Sequence, residues 1–141
     1  MNVSFKEFTI HHYDEVRQLW SRAGIKLTLS DEKNEIARML QRNPDTCFIA
    51  EANGKVVAAV MGSWDGRRGF VHHLAVEPSF QRRGLGRAMM AELERRFRIM
   101  DVVKITFLVE NDNLAVLDFY RKLGYSVRDD LTAVSKTLRE K

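Results

Sequence analysis

Leu74-Ala75-Val76-Glu77-Pro78-Ser79-Phe80-Gln81-Arg82-Arg83-Gly84-Leu85-Gly86-Arg87-Ala88 is the stretch that decides how this chain folds. An apolar strand stops at Pro78, and a glycine-bearing loop then enters a helix with Leu85, Met89, Leu93 and Phe97 on one face. Gly84 and Gly86 keep side chains off the backbone, so that successive N–H groups can converge on one ligand. Those N–H groups stand at the positive end of a helix dipole, which makes the loop an anion site. Arg82, Arg83 and Arg87 add charge, and a diphosphate is the anion that suits this geometry best. A tight turn beside three solvated arginines would be written in the same letters, so the glycine pair alone leaves both readings open. A dinucleotide fingerprint needs a third glycine where this chain has Met89, and it belongs after the first strand. A Walker A loop needs a Gly-Lys-Ser/Thr that is absent.

Working outward, Gly69–Val76 reads as a strand entered from the turn Asp65-Gly66. Apolar runs around Thr46–Glu51 and Lys55–Trp64 flank Asn53-Gly54, a hairpin signal because both turn residues tolerate positive φ. Val3, Phe5, Phe8 and Ile10 alternate imperfectly as a first strand. Val16, Leu19, Trp20 and Ala23 make an amphipathic helical stripe, with Asp14 as candidate cap and Gly24 as stop. Ile36, Met39 and Leu40 mark a second helix closed by Asn43-Pro44. Downstream, Val102–Val109 reads as a buried strand, and Val116, Phe119, Tyr120 and Leu123 repeat the helical stripe ahead of Gly124. Tyr125–Val127 and Ala133–Leu138 read as the last strands. This order predicts an α/β fold (α+β in some schemes), a mixed central sheet of about six to seven strands flanked by about four helices.

The 141 residues predict about one domain, 1–141, with no internal repeat. A chain 45% hydrophobic and 30% charged is too apolar to be disordered, and 2 prolines with 8 glycines exclude a collagenous or linker-like identity. Lysine and arginine number 23 against 19 acidic residues, and the resulting +4 suits an anionic small ligand as well as nucleic acid. The arginines sit at one loop and on one helix, without the interleaved aromatics of a single-strand platform, so no nucleic-acid partner is expected. The single Cys47 excludes a disulfide framework and reads as a small core residue, making a reducing, cytoplasmic setting the expectation. Met1–Ile10 lacks the apolar core of a signal peptide. The longest apolar run, Val56–Met61, is far short of the roughly 20 residues that span a bilayer, so no membrane partner is expected. Adjacent histidines on a strand diverge, and neither His11-His12 nor His72-His73 has ligand-spaced partners, so no metal is expected.

Gln81-Arg82-Arg83-Gly84-Leu85-Gly86 resembles the Gln/Arg-x-x-Gly-x-Gly/Ala signature of the GNAT superfamily of acetyl-CoA-dependent N-acetyltransferases. The preceding strand, Leu74-Ala75-Val76-Glu77-Pro78, is similar as well. So is the later Asn113…Tyr120-Arg121-Lys122-Leu123-Gly124-Tyr125 element. The three blocks stand at their proper separations, and element order and total length agree as well, so the resemblance covers nearly the whole chain. The sequence is most similar to short stand-alone bacterial (YpeA-type) members, which carry a turn like Gly62–Gly69.

The resemblance implies a GNAT-like domain that uses acetyl-CoA as acyl donor, with no metal, and acetylates a primary amine by direct attack in a ternary complex. It implies that the backbones of Leu74, Ala75 and Val76 pair with the pantetheine arm. The N–H groups of Arg82, Arg83, Gly84, Leu85, Gly86, Arg87 and Ala88 would hold the pyrophosphate. A bulge near the strand would direct an N–H at the thioester oxygen. Asn113 would bond the pantetheine arm, although it also reads as a helix N-cap. Tyr120 would protonate the departing thiolate, although a tyrosine on an apolar stripe also reads as core.

The base that would deprotonate the amine stays open among His72, His73, Glu77 and Glu110, a water, or none. Strand alternation places His72 and His73 on opposite faces. Some relatives carry a catalytic Glu five residues before the Asn, where this chain has Leu108. The catalytic expectation is therefore Tyr120 with Glu77 or His73. The partners are acetyl-CoA and a peptide, protein or small-molecule amine, and the chain acts as a monomer or homodimer. A GNAT fold that binds acetyl-CoA without turnover is the alternative.

Overall fold

The computed structural model describes residues 2–110 and 112–140. They form two compact units, Met1–Phe107 and Leu108–Lys141. The first unit runs β1 (Ser4–Glu7), α1 (Tyr13–Arg22), α2 (Lys33–Arg42), β2 (Cys47–Ala52), β3 (Lys55–Trp64), β4 (Gly69–Val76), α3 (Leu85–Ile99) and β5 (Ile105–Thr106). The second unit contributes α4 (Leu114–Lys122). The α/β class holds. The sheet is mixed, in the order β1-β2-β3-β4-β5, antiparallel up to β4 and parallel between β4 and β5.

The β2–β3 hairpin turns where the sequence places it, at Asn53 and Gly54 with φ of +53° and +76°. β3 is buried continuously from Val56 to Gly62 because both of its faces are covered. On one face Ala59 and Met61 join Phe8, Tyr13, Val16, Leu19, Trp20, Ile36 and Leu40 in a single cluster beneath α1 and α2. On the other, α3 brings Phe97 against Gly62 and Gly69. A Cβ on Gly69 would lie 2.8 Å from that ring, so bare backbone is what lets the helix come this close. Each fully buried side chain of this kind contributes about 1.5–3 kcal/mol of transfer free energy.

α1 begins one residue ahead of its expected cap. His12 takes the cap position without a side-chain bond, and Asp14 lies in the first turn beside Glu15. Glu15 ties the helix to the sheet, its Oε2 accepting the Val56 N–H at 2.8 Å.

The strand count is the main correction. Five strands form among the described residues, against the expected six to seven. Tyr125–Val127 and Ala133–Leu138 are not strands. Their alternation supplies an apolar set, but a strand also needs a ladder partner and a surface to bury on. Among the described residues neither segment has a ladder partner, and Val134 and Leu138 are 92% and 90% exposed. Val102–Val109 shortens for a related reason. Only Ile105 and Thr106 pair with β4, at Gly69 and Phe70, and Val103 and Leu108 are exposed rather than buried.

Candidate active site

Beyond Phe70 the two parallel strands part, and β4 continues to Val76 with no strand on that side among the described residues. The Glu77 N–H donates to Val57 O at 2.8 Å, so by ladder alternation Val76 turns its polar groups to the open edge. There Gln81 Nε2 donates to the Val76 carbonyl at 3.1 Å. Leu74 and Val76 are half-buried along this edge and Ala75 is buried. The strand also carries a bulge. Ala59 faces Ala75 while Met61 faces His72, so Val60 alone opposes both His73 and Leu74. His73 stands there at φ +52°, a conformation that costs a non-glycine residue about 1–3 kcal/mol.

The open edge leads directly to the glycine loop. Pro78–Phe80 forms a single 3₁₀ turn, Arg82 lies at φ +63°, and Gly84 occupies the N-cap of α3 at φ +84°. No side chain caps this helix, and its first turn carries no acidic residue. The first helical hydrogen bond belongs to the Ala88 N–H, to Gly84 O at 3.0 Å, so the N–H groups of Leu85, Gly86 and Arg87 precede the ladder. Leu85 anchors the turn in the core, while Arg82, Arg83, Gly84 and Arg87 are exposed. Among the described residues none of the three arginines enters an ion pair. Arg83 instead stacks over the Phe80 ring at 4.9 Å.

The base candidates separate by their partners. Arg22 holds both Glu77 oxygens, Nε and Nη2 donating to Oε2 at 2.9 and 2.7 Å and Nε to Oε1 at 3.2 Å. His72 Nε2 lies 3.1 Å from Ser63 Oγ. Surrounding protein that disfavours its charged form holds its pKa below the ordinary value, with the neighbouring His73 adding and Asp31 opposing. His73 Nε2 meets Asp31 Oδ1 at 2.7 Å, and Trp20 packs against its ring at 5.1 Å. The expectation that the histidines occupy opposite faces fails, because the bulge interrupts the alternation. His72 lies opposite Met61 of the cluster beneath α1, and His73 touches Trp20 of the same cluster.

In the second unit Asn113 caps α4, its Oδ1 accepting the Val116 N–H at 3.3 Å. Tyr120 is buried between edge-on contacts to Phe119 and Tyr125, and burial pushes its phenol up to about 12. Glu110 and Leu108 are exposed.

The sequence model described as the acetyltransferase (GNAT) family matches residues 13–125, a stretch that runs through both units. The chain belongs to the GNAT acetyltransferase family. It is thereby an acetyl-CoA-dependent N-acetyltransferase by class. An acetyltransferase of Sodalis glossinidius is 33% identical over 138 residues, covering 98% of this chain and 97% of the relative. Among solved structures, Ard1 from Thermoplasma volcanium superposes with a TM-score of 0.83 at 20% identity, covering 91% of this chain and 85% of its own. PaiA N-acetyltransferase from Thermoplasma acidophilum, in complex with coenzyme A, gives 0.79 at 17% identity, covering 92% of each chain.

Two residues of this GNAT chain that hold candidate site groups escaped sequence reasoning. Arg22 reaches Glu77 across 55 positions, and nothing in the sequence marks the pair. Asp31 reaches His73 across 42 positions. Its local role was readable, since Thr28-x-x-Asp31 is a capping pattern and Asp31 Oδ2 accepts the Thr28 N–H at 2.9 Å. Cys47 is a core residue in this GNAT fold, as its neighbours suggested. Its Sγ donates to Gly62 O at 3.5 Å, and burial pushes the thiol up to about 12. Among the described residues no three His, Cys, Asp or Glu side chains gather as a metal group, and no helix is long and apolar enough to cross a membrane.

Proposed function

We propose that this GNAT chain transfers the acetyl group of acetyl-CoA to a primary amine by direct attack in a ternary complex. The observation that supports it best is the continuity between the open edge of β4 and the uncapped, acid-free N-terminus of α3. An extended pantetheine arm has the hydrogen-bonding groups to continue the sheet along Leu74, Ala75 and Val76. The diphosphate that follows such an arm meets the N–H groups from Arg82 to Arg87, the Ala88 N–H being already given to Gly84 O, and the charges of Arg82, Arg83 and Arg87, which enter no ion pair among the described residues. Asn113 is assigned to the arm, and Tyr120, a phenol that keeps its proton, to the leaving thiolate. For the base the reading favours His73, because both oxygens of Glu77 are occupied by Arg22.

The acceptor is a peptide or protein amine in the first instance and a small amine in the second. The test is release of free thiol from acetyl-CoA with an alanine-initiated peptide, spermidine, an aminoglycoside and free lysine. Release that depends on one of these amines is the expected result. Stabilisation by acetyl-CoA without release across the whole panel would mean that the fold binds the donor and does not turn it over.

A further inference from the structure

The Asp31 carboxylate has one partner for each oxygen. Oδ2 accepts the Thr28 N–H at 2.9 Å, with the Thr28 hydroxyl at 3.4 Å, and Oδ1 meets His73 Nε2 at 2.7 Å. Its side chain is 8% exposed and that of His73 24%. Burial pushes the Asp31 carboxyl up. The hydrogen bond from His73, the Thr28 N–H and the His73 charge outweigh burial and hold the group below its ordinary value. A carboxylate only accepts, so Nε2 of His73 carries a proton toward it, and in the neutral form of the ring Nδ1 carries the lone pair.

The surroundings fix both partners. Tyr13 Oη donates to the Asp31 carbonyl at 2.6 Å, the Trp20 ring meets the imidazole edge-on, and the bulge sets the His73 backbone at φ +52°. Among the described residues the titratable groups around the pair include His72, Tyr13, Arg17 through the Tyr13 hydroxyl at 3.4 Å, and Glu32, whose carboxylate lies 3.8 Å from Arg17. A strained backbone, a dedicated carboxylate and a ring whose Nδ1 meets no hydrogen-bond partner among the described residues form an oriented acceptor of protons.

We propose that Asp31 is a positioning residue for acetyl transfer, holding His73 as its Nε2–H tautomer so that Nδ1 takes a proton from the acceptor amine. The proposal rests on the reading of the chain as an amine acetyltransferase. An acceptor arriving as R–NH₃⁺ gives one proton to Nδ1, and the resulting imidazolium keeps its Nε2–H on Asp31. The freed lone pair forms the C–N bond at the thioester carbon. The C–S bond then breaks with its electron pair on sulfur, and the thiolate ends with the second amine proton, directly or by way of Tyr120. The products are the N-acetyl amine, CoA thiol and one proton that His73 returns to water.

Asp31→Asn tests the tautomer. Only the amide oxygen satisfies the Thr28 N–H, so the amide NH₂ faces His73, and a donor there demands a lone pair on Nε2. Imidazole ¹⁵N–¹H correlation spectra of the full chain are expected to show Nε2–H in the parent and Nδ1–H in the variant. Thiol release from acetyl-CoA with the amine panel should fall about 100-fold or more in kcat, with KM for acetyl-CoA unchanged. His73→Gly, which suits the positive φ and so keeps the bulge, should lose a similar factor and recover part of it with added imidazole.

An Nδ1–H tautomer in the parent overturns the proposal, and so does a flipped tautomer in Asp31→Asn with kcat unchanged. A parent chain that acetyl-CoA stabilises but that releases no thiol with any amine overturns the transfer reading, and the base role of His73 with it. The spectra still report the pair on their own.

Discussion

Arg22 at the end of α1 closes on both carboxylate oxygens of Glu77 at the end of β4, with Nη2 at 2.7 Å from Oε2. The pair fastens the helix to the strand just where the strand gives way to the glycine loop.

Glu77→Gln removes the charge and keeps the shape. The pair is partly exposed, so the substitution is expected to cost about 0.5–1 kcal/mol in urea unfolding. Thiol release should stay within a few-fold of the parent. A loss of about 100-fold with the fold intact would assign the base to Glu77 instead of His73.

Gly84 and Arg82 share the left-handed region with opposite consequences. Nothing lies within 4 Å of a Cβ on Gly84, so Gly84→Ala meets only the backbone cost of φ +84°, about 1–2 kcal/mol. Acetyl-CoA affinity, measured by calorimetry, is expected to fall with it as the N–H groups at the helix start lose their alignment. Arg82→Gly relieves a φ of +63° and should raise the melting temperature while weakening acetyl-CoA binding through the lost charge. The two readouts then move in opposite directions.

Tyr120 keeps its proton over the working range because burial pushes its pKa up to about 12, above the ordinary 10.0. The native phenol stays neutral while an unfolded one ionises above pH 10. Stability is therefore unaffected by this group below that value and falls as pH rises from 10 toward 12. In a pH–rate profile kcat should not decline between about pH 8 and 10 through loss of this proton. Tyr120→Phe should lower kcat about 100-fold with KM for acetyl-CoA unchanged.

Glu92 gives a pH dependence at the other end. The hydrogen bond from Arg95, opposed by burial and reinforced by Arg96, brings its carboxyl from 4.5 down to about 2. A lowered carboxylate contributes stability that is complete above the unfolded value and lost as pH falls through the folded one. Glu92→Gln is therefore expected to destabilise by about 0.5–1 kcal/mol at neutral pH. In urea melts that difference should shrink below pH 4.5 and vanish near pH 2.

The legible parts of the fold are those whose physics is local. Asn53-Gly54 makes its own turn, the span Lys55–Trp64 matches β3 and Gly69–Val76 matches β4. Gly84 marks the helix start because only the backbone has to be satisfied there. The illegible parts depend on distant partners. Alternation in Ala133–Leu138 cannot reveal whether a neighbouring strand exists. The periodicity of β4 cannot reveal a bulge, which adds one residue without altering composition and moves His73 beside Trp20. Asp31 and Arg22 read locally as a turn residue and a helix-end charge, and only the folded sheet brings them to His73 and Glu77.

Cys47, the only cysteine of the chain, is fully buried with its thiol pushed up to about 12, so the native protein presents essentially no thiolate to an electrophile. Disulfide reagents that colour free coenzyme A should pass over the folded chain, and every equivalent of colour in a turnover assay is then product. The same reagent added to a protein slowly losing its structure would count one sulfur per molecule. Cys47 thus serves as an internal clock for unfolding, read with the chemistry already in the cuvette.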